Sequence, residues 1–519
     1  MKIFHKILKN VDAISYENEF FMRSRKSQYE IIKQVGANIA KNFYLEFSRF
    51  LKKNSTVLAI LGSGHNAADA LAMLVELKNI YPHFKTTIIL PQREKLRENT
   101  VKILDEFLIY DNIEIVHNIT DIKTNKFNLV IEGLTGMSYT PPMRPNMAEK
   151  IEFINSLKAD VKISIDIPAG ISDARETSKV FNADVTYATA IAKECLFATK
   201  YKQNVGRIRY IDVGFFDDDN QNLASKYIIN PNALDILKQL RPALTDKRSY
   251  GRLLIISGSQ KYAGASLLNA KTAIRAGVGF VYSCIVEDFK PAFVASEPSV
   301  IWHACTTDEN GSIALENFSE INALAKCADA ILIGSGLTNS RECIALVKEI
   351  LKNNSNVPTV LDADAICKEI LENVTQHTAP VILTPHEGEF LRIAQDVSND
   401  TLIETAKKYS CTIVLKSNIT RISDGNSIVF STRGCPALAR AGSGDILCAL
   451  MGAILANKHL LSSIKDNDNS NQKLAQKVAS IATQWLGEAS EIVANEFSET
   501  SLASSDLINF LHIPLSLRQ

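Results

Sequence analysis

RGCPALARAGSGDILCALMGAIL, residues Arg433–Leu455, is the stretch on which the reading of the chain turns. Gly442, Ser443 and Gly444 run directly into Asp445, and a long apolar segment rich in Ala, Leu and Ile follows. A glycine turn that opens a helix leaves several backbone N–H groups without partners, all aimed at one spot. The helix dipole adds to them and makes that spot attractive to anions. Asp445 stands at its edge, where a carboxylate and an anion repel each other. Proton abstraction is one reason to keep it there: an Asp within reach takes the proton of a hydroxyl that attacks a phosphoryl group. The competing reading makes Gly442–Gly444 an ordinary turn and Asp445 an N-cap.

Upstream, from Gly251, the same grammar repeats. GRLLIISGS reads as a strand ending in a small-residue turn, and GASLLNAKTAIRAGVGFVYSCIV as a helix of small residues and then a strand. ADAILIGSGLT is a strand with a Gly-Ser-Gly turn, and VPTVLDADAI a strand with Asp362 and Asp364 at its end. PVILTPHEGEF places His386 and Glu389 after a strand, and CTIVLKSNIT places Lys416 and Thr420 after another. Strands interleaved with helices imply a mostly parallel sheet covered on both faces, with ligands at the carboxyl ends of the strands.

The first half follows the same rule. Residues 1–50 are expected to be helical, with Tyr29, Ile31, Ile32, Val35, Ile39 and Phe43 at helical spacing. TVLAILGSGHNAADALAMLVELKNIYP then reads as strand, glycine turn and helix, the opening of a nucleotide-binding α/β unit. TTIILP, IEIVHNI, FNLVIEGLTG, VKISIDIPAGI, ADVTYATAI and RIRYIDVGF supply further strands. Asn66, Glu132 and Asp166 fall just past strand ends, where each serves either a ligand or a turn.

A length of 519 residues calls for more than one core. Lys+Arg and Asp+Glu both total 57, which argues against a general nucleic-acid binder. Nine scattered Cys without a C-x-x-C read as small buried residues of a reducing compartment. No apolar run approaches the ~20 residues of a membrane span, and the N-terminus lacks a signal-peptide pattern. The expectation is a soluble cytoplasmic protein without membrane or nucleic-acid partners, and a homo-oligomer. The acidic Asp217–Asn222 segment marks a domain boundary, and KDNDNSNQ at 465–472 a solvated loop.

Residues 56–72, 128–137, 163–171 and 183–214 resemble, in order, the epimerase domain of the NAD(P)H-hydrate repair enzymes, with its GxGNNGGDG, DxLFGTG and DIPSG runs. Residues 245–512 resemble the ribokinase-like superfamily, and more narrowly the ADP-dependent dehydratase domain of the same enzymes. Six motifs carry that second match: GRLLIISGSxxxxGA, ILIGSGL, LDADAI, LTPHEGEF, VLKSNIT and GCPALARAGSGD. The resemblance implies two α/β domains: a Rossmann-like, three-layer epimerase-type domain over 1–220 and a ribokinase-like dehydratase domain over 221–519. It implies that NAD(P)HX, hydrated at C6 of the nicotinamide ring, is epimerised by the first domain. The second would dehydrate the 6S form with ADP or ATP as phosphoryl donor and Mg²⁺ near Asp364 and Glu389.

Carried over residue by residue, Asp445 is the general base. Lys416, Ser417, Asn418, Ile419, Thr420 and Gly444 contact the adenine nucleotide, and Ala265, Gly336, His386 and Asp445 line the hydrate site. In the first domain Asn66, Asp69 and Asp166 bind the hydrate, and Asn66, Glu132 and Ala169 hold K⁺. Departures concentrate in this domain. Ala67, Ala68 and Ala70 replace glycines, Glu132 replaces Asp, and Ala169 replaces a Ser ligand. Two other readings stay open: a ribokinase-like, ATP-dependent kinase of a small alcohol, and an N-terminal half that is a non-catalytic nucleotide-binding or assembly module.

Overall fold

The computed structural model describes residues 2–173, 179–217, 224–465 and 470–516. Residues 218–222 of the Asp217–Asn222 segment and 466–469 of the 465–472 run lie outside the described residues. The chain divides into two compact units, His5–Ala224 and Met1–Phe4 with Ser225–Gln519.

In the unit His5–Ala224, seven parallel strands line up in the order Ile113–Val116, Lys85–Ile89, Thr56–Leu61, Lys126–Gly133, Lys158–Ile165, Val185–Thr189 and Arg207–Ile211. Alternation along the strands feeds two cores. Val57, Ala59 and Leu61 face the helices Gln28–Phe47 and His65–Ile80, while Leu58 and Ile60 face the helix Pro145–Ser156. This is the expected three-layer arrangement. Its strand order reverses around Thr56–Leu61, and such reversals open a crevice at the strand ends. One expectation fails: residues Phe4–Leu8 are a strand, not helix, paired in parallel with Ala192–Lys193. The reason is period-two alternation in FHKIL, whose His5 and Ile7 are buried while its neighbours are only partly so.

In the other unit the strands run Ile301–Cys305, Phe280–Val286, Arg252–Ile256, Ala330–Ile333, Thr359–Leu361, Val381–Leu383, Thr412–Leu415, Thr420–Ser423, Ile428–Ser431 and Lys226–Ile229. They are parallel as far as Thr412–Leu415. A hairpin then turns back antiparallel at Thr420–Ser423 and Ile428–Ser431, through Gly425 with φ +86. Helices Gly264–Arg275, Ser443–Ala456 and Asn471–Phe497 share one face and its core. Ser443–Ala456 is buried on every side from Ile446 to Ala456. Among the described residues no single helix is long and apolar enough to cross a membrane.

Candidate active site

The C-terminal turn has the predicted form. Gly442 takes φ +94, a conformation that suits glycine. A Cβ there would stand 2.8 Å from Leu268 Cδ1 and 3.1 Å from Ser504 Cβ. The helix starts at Ser443, which places Asp445 third in it rather than at the cap. The amides of Gly444 and Asp445 have no backbone acceptor among the described residues, and the first helical bond runs from Ile446 N to Gly442 O.

Four strand ends supply what faces this turn. Asp362, after Thr359–Leu361, is buried. Its Oδ1 accepts from Thr384 Oγ1 at 2.7 Å and Lys416 Nζ at 3.2 Å, and its Oδ2 accepts from Ser335 Oγ at 3.0 Å. Burial opposes the Asp362 charge, yet Lys416, Thr384 and Ser335 hold its pKa below the ordinary value. Burial likewise opposes the Lys416 ammonium, and Asp362 and Glu389 hold its pKa above the ordinary range. The ammonium lies 3.3 Å from the position a Cβ on Gly444 would take, beside the open amides. Asp445 is pushed up to about 6, first by burial and then by Asp362, with Lys416 and Ser335 pulling it back. Its backbone is tied down by Asn269 Nδ2, which donates to Asp445 O at 2.8 Å.

The other residues expected in this half assemble around the same ends. Gly336, at φ +66, would clash through a Cβ with Ala265 Cβ at 2.8 Å, so these two positions touch. His386 caps the short helix Glu387–Phe390: its Nδ1 accepts from the amides of Gly388 and Glu389 at 3.0 and 3.2 Å. Those two donors assign the proton to Nε2, which lies 3.4 Å from Glu389 Oε1 on an exposed ring. Lys416 N donates to Pro385 O at 2.9 Å, which sets His386 beside Lys416. Ser417, Asn418 and Ile419 form the turn into the strand that begins at Thr420, with Ser417 Oγ donating to Ile419 O. Asp364 pairs with Arg392 at 3.4 Å, and Glu389 accepts from His386 N at 2.9 Å. Sequence reasoning assigned no role to Ser335, Thr384 or Asn269. Ser335 was legible as the centre of a Gly-Ser-Gly turn at a strand end; the other two carry no local signal.

In the unit His5–Ala224 a cavity of about 430 Å³ opens at the strand ends, and Asn66, Asp69 and Asp166 line it together with Glu17, Arg97, Thr189 and Lys193. Ala67, Ala68 and Ala70 are fully buried in the first turns of the helix His65–Ile80, so their methyl groups fill core rather than the ligand path.

The three potassium positions do not form a cation cage. Glu132 Oε1 accepts from Leu134 N at 2.7 Å, and Oε2 accepts from Ser164 Oγ at 2.9 Å and Ala169 N at 3.2 Å. Burial pushes Glu132 up to about 7, against those donors. Ala169 offers no side-chain oxygen, and its carbonyl accepts from Phe181 N. Of these three residues, as described, Asn66 alone has a buried side-chain oxygen without a partner, its Oδ1. A hard cation needs a shell of several free oxygens, so these residues do not fit a resident K⁺.

A family model described as NAD(P)H-hydrate dehydratase matches residues 253–512, half of the chain. The chain belongs to the NAD(P)H-hydrate dehydratase family. A second model, the YjeF-related protein N-terminus, matches residues 28–195. Among members of this family, the bifunctional NAD(P)H-hydrate repair enzyme of Synechocystis sp. is 28% identical over 470 residues, 87% of this chain and 84% of that protein. The namesake from Gloeobacter violaceus is 29% identical over 421 residues, 76% of this chain and 79% of its own. A solved ADP/ATP-dependent NAD(P)H-hydrate dehydratase from Bacillus subtilis is 26% identical, covering 54% of this chain and 94% of its own with a TM-score of 0.41.

Proposed function

We propose that this chain repairs hydrated nicotinamide nucleotides, with dehydration of the 6S hydrate in the unit that carries Asp445 and epimerisation in the unit that carries Asp69 and Asp166. The observation that carries the dehydratase reading is the placement of Asp445. It is a half-buried carboxyl with a pKa of about 6, next to two open amides and the half-buried Lys416.

The chemistry follows from that placement. Hydroxide leaves C6 poorly, and a phosphoryl group makes the oxygen a good leaving group. Asp445 is ionised at neutral pH and takes the proton of the C6 hydroxyl as that oxygen attacks the terminal phosphoryl of ADP. The amides of Gly444 and Asp445 and the Lys416 ammonium stabilise the charge spread over the transferring group. Asp362 keeps Lys416 charged and in place. His386 Nε2–H is available to an acceptor on the hydrate, and Gly336 and Ala265 leave room for its ring. Mg²⁺ would neutralise the nucleotide phosphates, held through water by Glu389, the mode this ion favours. No step is assigned to K⁺.

Incubation with the S and R epimers of NADHX, with ADP or with ATP, tests the reading through recovery of NADH absorbance. The expected result is NADH from the S epimer with a nucleotide donor, and consumption of the R epimer above its spontaneous rate. Absence of NADH with either donor would overturn the dehydratase reading in favour of a small-alcohol kinase on the same fold.

A further inference from the structure

We propose that Asp69 and Asp166 are the proton donor and the proton acceptor of C6 epimerisation, and that Lys193 is the positioning residue that holds Asp166 by one oxygen and leaves the other facing the cavity. This rests on the epimerase reading above.

The two carboxyls reach the cavity from different places. Asp69 rises from the helix after strand Thr56–Leu61, and Asp166 follows strand Lys158–Ile165. Between them in the sheet lies Lys126–Gly133, whose following loop brings Gly136 to the cavity wall. A ring bound there has one carboxyl on each side of the central strand. Asp69 is 9% exposed, lines the cavity and has no hydrogen-bond partner among the described residues. Burial first, then Asp166 and Glu17, push it well above the ordinary carboxyl range, with Lys193 pulling back.

Asp166 is built differently. Its φ of +66 is a strained conformation for a residue with a side chain, of the kind that persists at functional sites. Lys193 Nζ, almost wholly buried, pairs with its Oδ1, which also accepts from Thr189 Oγ1 at 3.2 Å. Lys193 in turn donates to Thr189 O at 2.9 Å. Oδ2 has no such partner among the described residues. It points at Gly136, 3.0 Å from where a Cβ would be, so the missing side chain leaves that oxygen open to the cavity. The remaining charged groups here are Glu17 from helix Asn10–Arg23, with its carboxyl raised by burial, and Arg97; His65 is neutral-leaning through burial and Arg97.

The step balances without an oxidant. The C6–O bond breaks with its electron pair going to oxygen, which takes the Asp69 proton and leaves as water. The N1 lone pair closes onto C6 to give an iminium. A second water adds a lone pair to the opposite face of C6 and gives its proton to Asp166 Oδ2. The proton then returns from Asp166 to Asp69, and one hydroxyl has left while another has arrived.

Epimerisation of the R hydrate by the full-length protein in H₂¹⁸O, read by mass spectrometry, tests this directly. One solvent oxygen per inversion is expected, above the level of spontaneous exchange. Inversion with the original oxygen retained would overturn the two-carboxylate route. Asp69→Asn should lower kcat for epimerisation about 10²–10⁴-fold with KM little changed, while dehydration of the S epimer reports that the chain is folded. Lys193→Met should lower kcat for epimerisation with KM little changed, and Lys193→Arg should restore part of the rate; a lysine that only supports the fold would lower the unfolding midpoint and leave kcat in place. If the unaltered protein fails to epimerise, the epimerase reading falls and this assignment with it. If it does epimerise but Asp69→Asn retains the rate, only the assignment falls.

Discussion

Two sites in this chain use the same trio and arrange it differently. In one, Asp445 is raised by burial and by Asp362, and Asp362 is paired with Lys416. In the other, Asp69 is raised by burial and by Asp166, and Asp166 is paired with Lys193. The difference lies in the second aspartate. Both oxygens of Asp362 are taken, by Ser335 on one side and by Thr384 and Lys416 on the other. Asp445 is then the one carboxyl of the trio open to substrate, which suits a single proton abstraction. Asp166 keeps one oxygen open. A buried Asp–Lys pair can thus retire a carboxylate into scaffolding or leave it available, and its other hydrogen bonds decide which.

The glycines differ in the same way. Gly442 sits at φ +94 against Leu268 and Ser504. Gly64, before the other helix, is extended, and a Cβ there would meet nothing within 4 Å. The first turn needs the glycine at its helix cap; the second needs Gly62 instead, where a Cβ would lie 2.3 Å from Leu134 O.

Asp445→Asn gives the largest expected effect. Turnover in dehydration should fall about 10²–10⁴-fold with little change in nucleotide KM, followed by NADH absorbance. In the unaltered protein the rate should drop as pH falls below about 6, because the base is then protonated. Full turnover in the Asn variant would break the contrast between the two trios at its root.

Next is Glu132. Its folded pKa of about 7 lies above the ordinary 4.5, so the folded state holds the proton more tightly. The stabilisation is complete below pH 4.5 and is lost as pH rises through 7, worth about 3 kcal/mol. Denaturant unfolding at several pH values should show that slope, and Glu132→Gln should flatten it.

Gly442→Ala should cost about 1–3 kcal/mol through backbone strain and crowding, seen as a lower unfolding midpoint. The mirror change, Ala68→Gly, should also destabilise, by about 1 kcal/mol, because a buried helical methyl is lost. If Ala68→Gly instead improved stability, the alanines of this turn would be misfits rather than core.

Strand ends are where the sequence spoke clearly. Glycine turns beside apolar runs located Gly62–Gly64, Gly334–Gly336 and Gly442–Gly444, and polar residues just past strands located Asp166, Asp362, His386 and Lys416. Partners that arrive from elsewhere left no such trace. Thr384 and Asn269 act through hydrogen bonds to residues far away in sequence. Lys193 was visible only as half of a Lys-Glu pair in ATAIAKECLF, and Glu17 as one of several acids on an amphipathic helix. The strand Phe4–Leu8 was hidden because its alternation is short and interrupted by charge. The potassium positions carried over by motif, but whether an oxygen is free depends on neighbours that a motif does not record.

The helix Ser443–Ala456 has a consequence for motion. It is bare at its first amides and enclosed on all sides from Ile446 onward. Hydrogen exchange along it should therefore change steeply within its first two turns, fast at Gly444 and Asp445 and close to the global unfolding limit a few residues later. The amides to which the proposed phosphoryl transfer assigns the charge are thereby open to water. Yet they are carried on an element with no polar face about which to roll, so the buried body of the helix itself holds the backbone of Gly444 and Asp445 in one place.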